Sequence, residues 1–98
     1  MRVSKLVLDG RVPFDESLEQ VKDPRAVARI LTRIRRLELG NPGDHKALQG
    51  GLFELRVDVG AGWRIYYLHR EEELVLLALV GNKKTQSRDI QKVLSWLN

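Results

Sequence analysis

The chain has 98 residues, 43% of them hydrophobic, and its 17 lysines and arginines outnumber 13 acidic residues to give a net charge of +4. This length suits one domain, which we place over residues 1–98, and the composition excludes an intrinsically disordered chain. The absence of cysteine excludes a disulfide framework, a thiolate nucleophile and a cysteine zinc site. The N-terminus lacks a signal-peptide pattern and no apolar run is long enough for a bilayer, so we expect a soluble cytoplasmic protein with no membrane partner.

The N-terminal segment predicts one strand and one short helix. Residues 3–8 have strand character and are followed by an Asp-Gly turn. A proline and two acidic residues then open a helix predicted over residues 13–22, because proline fits the first helical position and carboxylates favour a helix N-terminus.

The clearest predicted element is a helix over residues 24–39. An Asp-Pro pair starts it and the sequence Gly-Asn-Pro-Gly ends it. Helical spacing places one group of apolar residues on a single face: Val27, Ile30, Leu31, Ile34 and Leu37. Four arginines fall on the opposite face: Arg25, Arg29, Arg33 and Arg36. This stripe is either a solvated helix face or a surface for RNA or an acidic partner.

The C-terminal half predicts a sheet and a last helix. Residues 53–59 alternate between apolar and polar, and a Gly-Ala-Gly turn leads into a return strand over residues 63–70. Residues 74–80 are apolar on both faces and predict a central strand. A final helix begins at Thr85 or Ser87. This order predicts an α+β fold, with an antiparallel twisted sheet of about four strands, two N-terminal helices and a C-terminal helix.

Folding the predicted hairpin about its central alanine pairs Asp58 with Arg64, although a bulge in such a short loop would shift the register by one. One face of the hairpin then carries five polar residues: Glu54, Arg56, Asp58, Arg64 and Tyr66. The face is either a solvated surface with weak cross-strand pairs or a wet concave surface that binds a ligand.

A basic segment follows the last strand. Lys83, Lys84 and Arg88 lie at a strand end and a helix start, where the helix N-terminus favours anions. These cations either lie in an exposed loop or converge on the polar face of the hairpin. His45 lies in a glycine-rich loop that can fold over a site, whereas His69 has a structural or surface role. Metal-ligand spacing and glycine-rich phosphate loops are absent, so we expect no metal and no cofactor.

Two segments carry a family resemblance over residues 14–97. The segment "LFELRVDVGAGWRIYYLHREEELVLLALVGNKKTQSRDIQKVLSWLN" resembles the C-terminal half of a RelE/ParE superfamily toxin. The upstream "KDPRAVARILTRIRRLELGNPGDHKALQGG" is similar to the HigB-like, phage-derived branch known as addiction module killer proteins. The family fold agrees with the element order predicted from the residues.

The resemblance implies the toxin of a bacterial type II toxin–antitoxin system. It implies a cognate antitoxin as partner, with a helix-turn-helix fold, and a toxin–antitoxin hetero-oligomer. Many RelE and HigB relatives are mRNA interferases that cut messenger on the ribosome without metal, whereas ParE relatives inhibit DNA gyrase. A gyrase inhibitor without nuclease activity, or a non-catalytic domain that binds antitoxin or nucleic acid, therefore stays open as an alternative.

The resemblance also implies site residues. Arg64 matches the RelE-type arginine that holds the scissile phosphate, Arg56 matches a basic position on the preceding strand, and Lys84 falls near the basic position after the third strand. RelE-like enzymes often place a tyrosine in the final segment, where this chain has Arg88, Asp89 and Ile90.

We assign a role to each candidate residue. Arg56 and Arg64 are expected to clamp the phosphate, because a guanidinium is a planar donor that keeps its proton. Lys84 is expected to act as base or charge stabiliser, since neighbouring cations lower the pKa of a lysine. Tyr66 is expected to stack on a base or donate a proton. The remaining candidates are expected to contact RNA: Lys83, Gln86, Arg88 and His45.

Overall fold

The computed structural model describes residues 1–97, in which helices cover both faces of a five-stranded sheet. The strands are β1 (Arg2–Lys5), β2 (His45–Ala47), β3 (Leu52–Val57), β4 (Trp63–Glu71) and β5 (Leu74–Asn82). The helices are α1 (Pro13–Glu19), α2 (Pro24–Glu38) and α3 (Gln86–Trp96), and a 3-10 turn (Lys83–Thr85) precedes α3. The predicted α+β class with three helices is confirmed.

The sheet order is β1-β5-β4-β3-β2. Strand β1 runs parallel to β5, and the other neighbours are antiparallel. The expectation of about four antiparallel strands is therefore wrong in two respects, the parallel β1 and the additional strand β2. Strand β2 has only three residues, all with exposed side chains, so it carries no apolar alternation that a sequence pattern could reveal.

The N-terminal predictions hold with shorter bounds. The Asp9-Gly10 turn has positive φ at both residues (50° and 77°), and Leu8 and Arg11 pair across it. Helix α1 ends at Glu19 rather than at Lys22. Helix α2 begins as predicted, because the Asp23 side chain accepts the Arg25 N–H at 2.9 Å and caps the first turn.

The β3–β4 hairpin has a different register from the predicted one. Strand β3 ends at Val57, which pairs with Trp63, and the connecting loop has five residues rather than three. Arg64 consequently lies opposite Arg56, while Asp58 is exposed in the loop and forms no cross-strand pair with Arg64. The register differs from the predicted one by two residues, so the side chains within β3 and β4 keep their predicted faces of the sheet.

The sheet separates two cores. Helices α1 and α2 cover one face, where the fully buried Ile30 packs with Leu55 and Ile65. Helix α3 covers the other face, where Val93 packs with Tyr66. Strand β5 contributes to both cores, as its two-sided apolar sequence predicts. Within residues 1–97, the helices are all too short or too polar to cross a membrane.

Candidate functional site

The centre of the polar face is the carboxylate of Glu54, which is completely buried. Its Oε2 lies 3.2 Å from Nε of Arg56, and its Oε1 lies 3.9 Å from Nε of Arg64. The side-chain amide of Gln86, at the start of α3, donates to Oε1 at 2.5 Å. Burying a lone carboxylate is costly, and these cationic and amide neighbours supply its compensation. We call these four residues the guanidinium cluster.

The two arginines of the guanidinium cluster stand directly opposite each other on β3 and β4. Like charges in this position repel, and the Glu54 carboxylate between them offsets the repulsion. Arg64 is nearly buried, with 10% of its side chain exposed, whereas the Arg56 side chain is 35% exposed. Nη1 of Arg56 also lies 3.8 Å from Oδ1 of Asp44. The Arg56 guanidinium is therefore accessible to solvent, and the Arg64 guanidinium lies beside it and is mostly buried.

Tyr66 lies on the predicted face but is completely buried under α3, packed with Leu52, Leu68 and Val93. The expectation of a wet concave surface there is therefore wrong, because α3 covers this part of the sheet. A buried ring cannot stack on an RNA base. Burial, reinforced by the negative charges of Glu54 and Asp89, raises the pKa of the Tyr66 phenol, so the hydroxyl keeps its proton.

The 3-10 turn before α3 is tied to the hairpin loop. The Asn82 side chain accepts the N–H groups of Lys84 at 2.9 Å and Thr85 at 3.1 Å, and the Lys83 N–H donates to the Gly62 carbonyl at 2.8 Å. A Cβ placed on Gly62 would lie 3.6 Å from Cβ of Lys83 and 3.9 Å from Nη1 of Arg64. The structure thus brings Lys83 next to Arg64, and it leaves the side chains of Lys83 and Lys84 exposed.

Two predicted RNA contacts lie elsewhere. His45 is in β2 rather than in a loop, and it pairs with Leu55, so it lies on the α1–α2 side of the sheet rather than over the guanidinium cluster. Its Nδ1 is 2.8 Å from the Gly43 carbonyl oxygen. Arg88 lines a groove between α1 and α3. A further exposed cation, Lys46, shares the face of Glu54, and sequence reasoning missed it because β2 was not predicted.

Asp89 and Gly81 explain how α3 approaches the sheet beside Arg64. Gly81 pairs with Arg64 across β4 and β5, and the nearly buried Asp89 carboxylate accepts the Thr85 hydroxyl above it. A Cβ on Gly81 would lie 1.9 Å from Oδ2 of Asp89. Only glycine leaves room for this carboxylate, so the pair fixes the depth of α3 and hence the position of Gln86.

One arginine of the α2 stripe has a structural role. The Arg33 guanidinium donates to the carbonyls of Arg56, of Pro42 at 2.7 Å and of Asp44 at 3.0 Å. Burial lowers the pKa of Arg33. Arg33 therefore fits neither alternative predicted for the arginine stripe, a solvated helix face or a surface for RNA or an acidic partner. It joins α2 to the segment before β2 and to β3, whereas Arg25, Arg29 and Arg36 are exposed.

The cluster has the chemistry of an anion site. Two guanidinium groups and the neighbouring Lys83 outnumber the carboxylates of Glu54 and Asp44, and guanidinium forks bind phosphate oxygens well. Within the part of the chain described by the structure, no group of three or more His, Asp or Glu side chains is arranged to hold a metal ion.

Comparisons with known proteins give two similarities. The family model described as "Phage derived protein Gp49-like (DUF891)" matches residues 19–94. An uncharacterized protein of Haemophilus influenzae is 46% identical over 79 residues, which cover 81% of this chain and 80% of the relative. No solved structure matches the chain.

Proposed function

We propose that this chain, which belongs to the phage-derived Gp49-like family, is the toxin of a bacterial type II toxin–antitoxin system. The family is a toxin-like addiction-module family related to the RelE-type toxins. The proposal includes a HigB-like single domain that acts in the cytoplasm. It also includes a helix-turn-helix antitoxin that forms a hetero-oligomer with the toxin.

We further propose that the toxin is a metal-independent endoribonuclease that cuts messenger on the ribosome. The observation that carries this proposal is the pairing of Arg56 with Arg64 across β3 and β4, with both guanidinium groups next to Glu54. A pair of cations in fixed positions is suited to hold a scissile phosphate and the charge that develops on it.

The chain supplies the groups that hold the phosphate in this reaction. The neighbouring 2′-hydroxyl of the RNA attacks phosphorus, the bond to the 5′ oxygen breaks, and a cyclic phosphate and a free 5′-hydroxyl result. Arg56 and Arg64 hold the phosphate oxygens, Lys84 accepts the proton of the 2′-hydroxyl, and the departing 5′ oxygen takes a proton from solvent water. Lys83 contacts the RNA backbone. Gln86 acts through Glu54 and is a positioning residue.

The test is induction of the protein followed by primer extension on a messenger. We expect Arg64→Ala to lower cleavage by about a hundred- to a thousandfold, as the loss of one preorganised donor typically does. Arg70→Ala is the matched control, since Arg70 is an exposed arginine at the other end of the same strand. Circular dichroism should show that both variants are folded.

A parallel assay for gyrase-dependent DNA breaks covers the alternative activity. DNA breaks without messenger cleavage would contradict the nuclease and support a ParE-like gyrase inhibitor. Growth arrest by a folded Arg64→Ala variant at the wild-type level would contradict the phosphate clamp.

A further inference from the structure

A groove of about 840 Å³ lies between α1 and α3, on the side of α3 away from β3. Strand β1 pairs with residues 74–77 of β5, and no strand within residues 1–97 covers the later part of β5 on this side. Leu79, Val80 and Gly81 from that part of β5 line the groove. Its volume falls within the range of about 300–1,000 Å³ that is typical of ligand sites.

The α3 wall of the groove combines charge with an aromatic ring. Arg88, Lys92 and Trp96 follow each other at intervals of four residues, so they lie on one side of the helix. Arg88 and Lys92 are exposed, and among residues 1–97 neither forms a salt bridge. Like charges one turn apart are unfavourable for a helix, so this spacing is not explained by helix stability.

The rest of the groove adds a second indole and three acidic residues, two of which accept hydrogen bonds from neighbouring side chains. Trp63 lines one part, so both tryptophans of the chain contribute. Glu16 accepts two hydrogen bonds from Arg11 at 2.9 Å, and Asp89 accepts the Thr85 hydroxyl. Asp9 is the remaining acidic residue of the lining. With Arg11, the lining holds three cations and three carboxylates, and the two cations that form no salt bridge within residues 1–97 lie on α3 beside aromatic surface.

We propose that this groove binds single-stranded RNA, with a base stacked on Trp96 and successive phosphates on Arg88 and Lys92. The choice of RNA rests on the proposed function, and the groove would be a second contact for the same substrate. Sites for single-stranded nucleic acid combine aromatic stacking with cations along the backbone. Residues four apart in a helix are separated by about 6 Å along its axis, so Arg88 and Lys92 can contact neighbouring phosphates.

An added peptide strand fits this groove less well than RNA. A peptide that extended the sheet would need the free N–H groups on the uncovered edge of β5. The Val80 N–H on that edge already donates to the Ser17 hydroxyl of α1 at 2.9 Å. The aromatic and cationic wall of α3 requires no such backbone donor from the occupant.

The probe for the test is a fluorescein-labelled 2′-O-methyl uridine hexanucleotide, which lacks the attacking hydroxyl and cannot be cleaved. Anisotropy titrations compare wild type, Trp96→Leu and Trp96→Phe. We expect Trp96→Leu to weaken binding by about 5- to 150-fold, the usual effect of losing one stacked base, and Trp96→Phe to retain most of the affinity.

A matched pair of double variants tests the cations. Arg88→Gln with Lys92→Gln should weaken binding at least tenfold more than Arg2→Gln with Arg70→Gln, which removes the same charge from exposed positions near the other end of β5. Thermal melting identifies any variant that is unfolded. Trp96→Phe and the charge variants preserve the core and keep the test valid if Trp96→Leu fails to fold.

Three results would overturn the proposal. Equal losses in the two double variants would indicate unspecific attraction, and equal losses in Trp96→Phe and Trp96→Leu would indicate packing rather than stacking. Binding of a labelled glutamate hexapeptide without RNA binding would indicate a protein partner. Because the probe cannot be cleaved, groove-dependent binding in a protein that cuts no messenger would refute the nuclease while leaving the groove intact.

Discussion

The Tyr66 hydroxyl is a buried polar atom, and in residues 1–97 the structure gives it no hydrogen-bond partner. Leaving such a group unpaired typically costs about 1–3 kcal/mol. The phenol also faces two carboxylates, those of Glu54 and Asp89, which together with burial raise its pKa. The side chain is thus stable in the fold only as a neutral ring.

Replacing Tyr66 by phenylalanine removes the unpaired hydroxyl, so we expect the free energy of unfolding at pH 7 to stay equal or to rise. The pKa of Tyr66 is raised on folding, so its stabilising contribution is complete below the ordinary tyrosine pKa of about 10 and is lost as pH rises towards the folded-state value. The urea midpoint of the wild type should therefore fall above pH 10, and it should fall less in Tyr66→Phe.

Tyr67→Phe is a second test of the same effect. Burial raises the pKa of Tyr67 as well, and Tyr67 lies on the opposite face of the sheet. Each single variant should remove part of the alkaline loss, and the double variant should remove more. A clear destabilisation of Tyr66→Phe at pH 7 would contradict the prediction and would show that the hydroxyl has a stabilising partner.

At this scale the sequence predicted which residues share a face but not how they are buried. Glu54, Arg56, Arg64 and Tyr66 are on one face as expected, because strand alternation survives a register shift of two. Their burial depends on where α3 docks, and that depends on Gly81, whose missing Cβ makes room for Asp89. The alternation of apolar and polar residues does not encode this contact between Gly81 of β5 and Asp89 of α3.

Among the elements, α2 has a polar face on which one arginine, Arg33, has a structural role. Its apolar stripe is buried as predicted, with Ala26, Ile30 and Leu37 in the core. Within its arginine stripe, only Arg33 reaches the segment before β2 and the backbone of β3. Helical periodicity places a side chain on a face but does not tell which carbonyls that face will meet.

We expect Arg33→Leu to release the segment that leads into β2. Three carbonyls would lose a charged donor, and one such hydrogen bond contributes about 1.5–3 kcal/mol, so we expect the free energy of unfolding to fall by at least that amount. Hydrogen exchange should show lower protection of the amides of Lys46 and Leu48, which face β3. Arg29→Leu is the control, since Arg29 is exposed on the same helix. Unchanged protection in Arg33→Leu would contradict the clamp.

For the whole molecule, the excess of cations is the property most relevant to a partner. The net charge is +4, and exposed lysines or arginines lie on α2, β2, the 3-10 turn and α3. Opposite charge on a partner accelerates and orients association, and salt screens it. The antitoxin that we propose as the partner is therefore expected to use an acidic segment.

We predict that the affinity for the antitoxin weakens at least tenfold when salt is raised from about 0.1 M to about 1 M, because the screening length falls from about 10 Å to about 3 Å. Calorimetric titration at several salt concentrations measures this. An affinity that is independent of salt would contradict the prediction. It would point instead to an apolar interface, such as the cavity of about 570 Å³ between β1, α1 and α2 that Val7, Leu31 and Ile34 line.

The parallel pairing of β1 with β5 has a consequence for biosynthesis. Strand β1 pairs with residues 74–77, which are made much later, and Glu54 receives its amide partner only when Gln86 has emerged from the ribosome. Closing such a long loop delays the final sheet until nearly the whole chain is available. The two arginines therefore lack the complete arrangement around Glu54 until residue 86 has left the ribosome. If the protein arrests translation, this topology delays its activity on the ribosome that makes it.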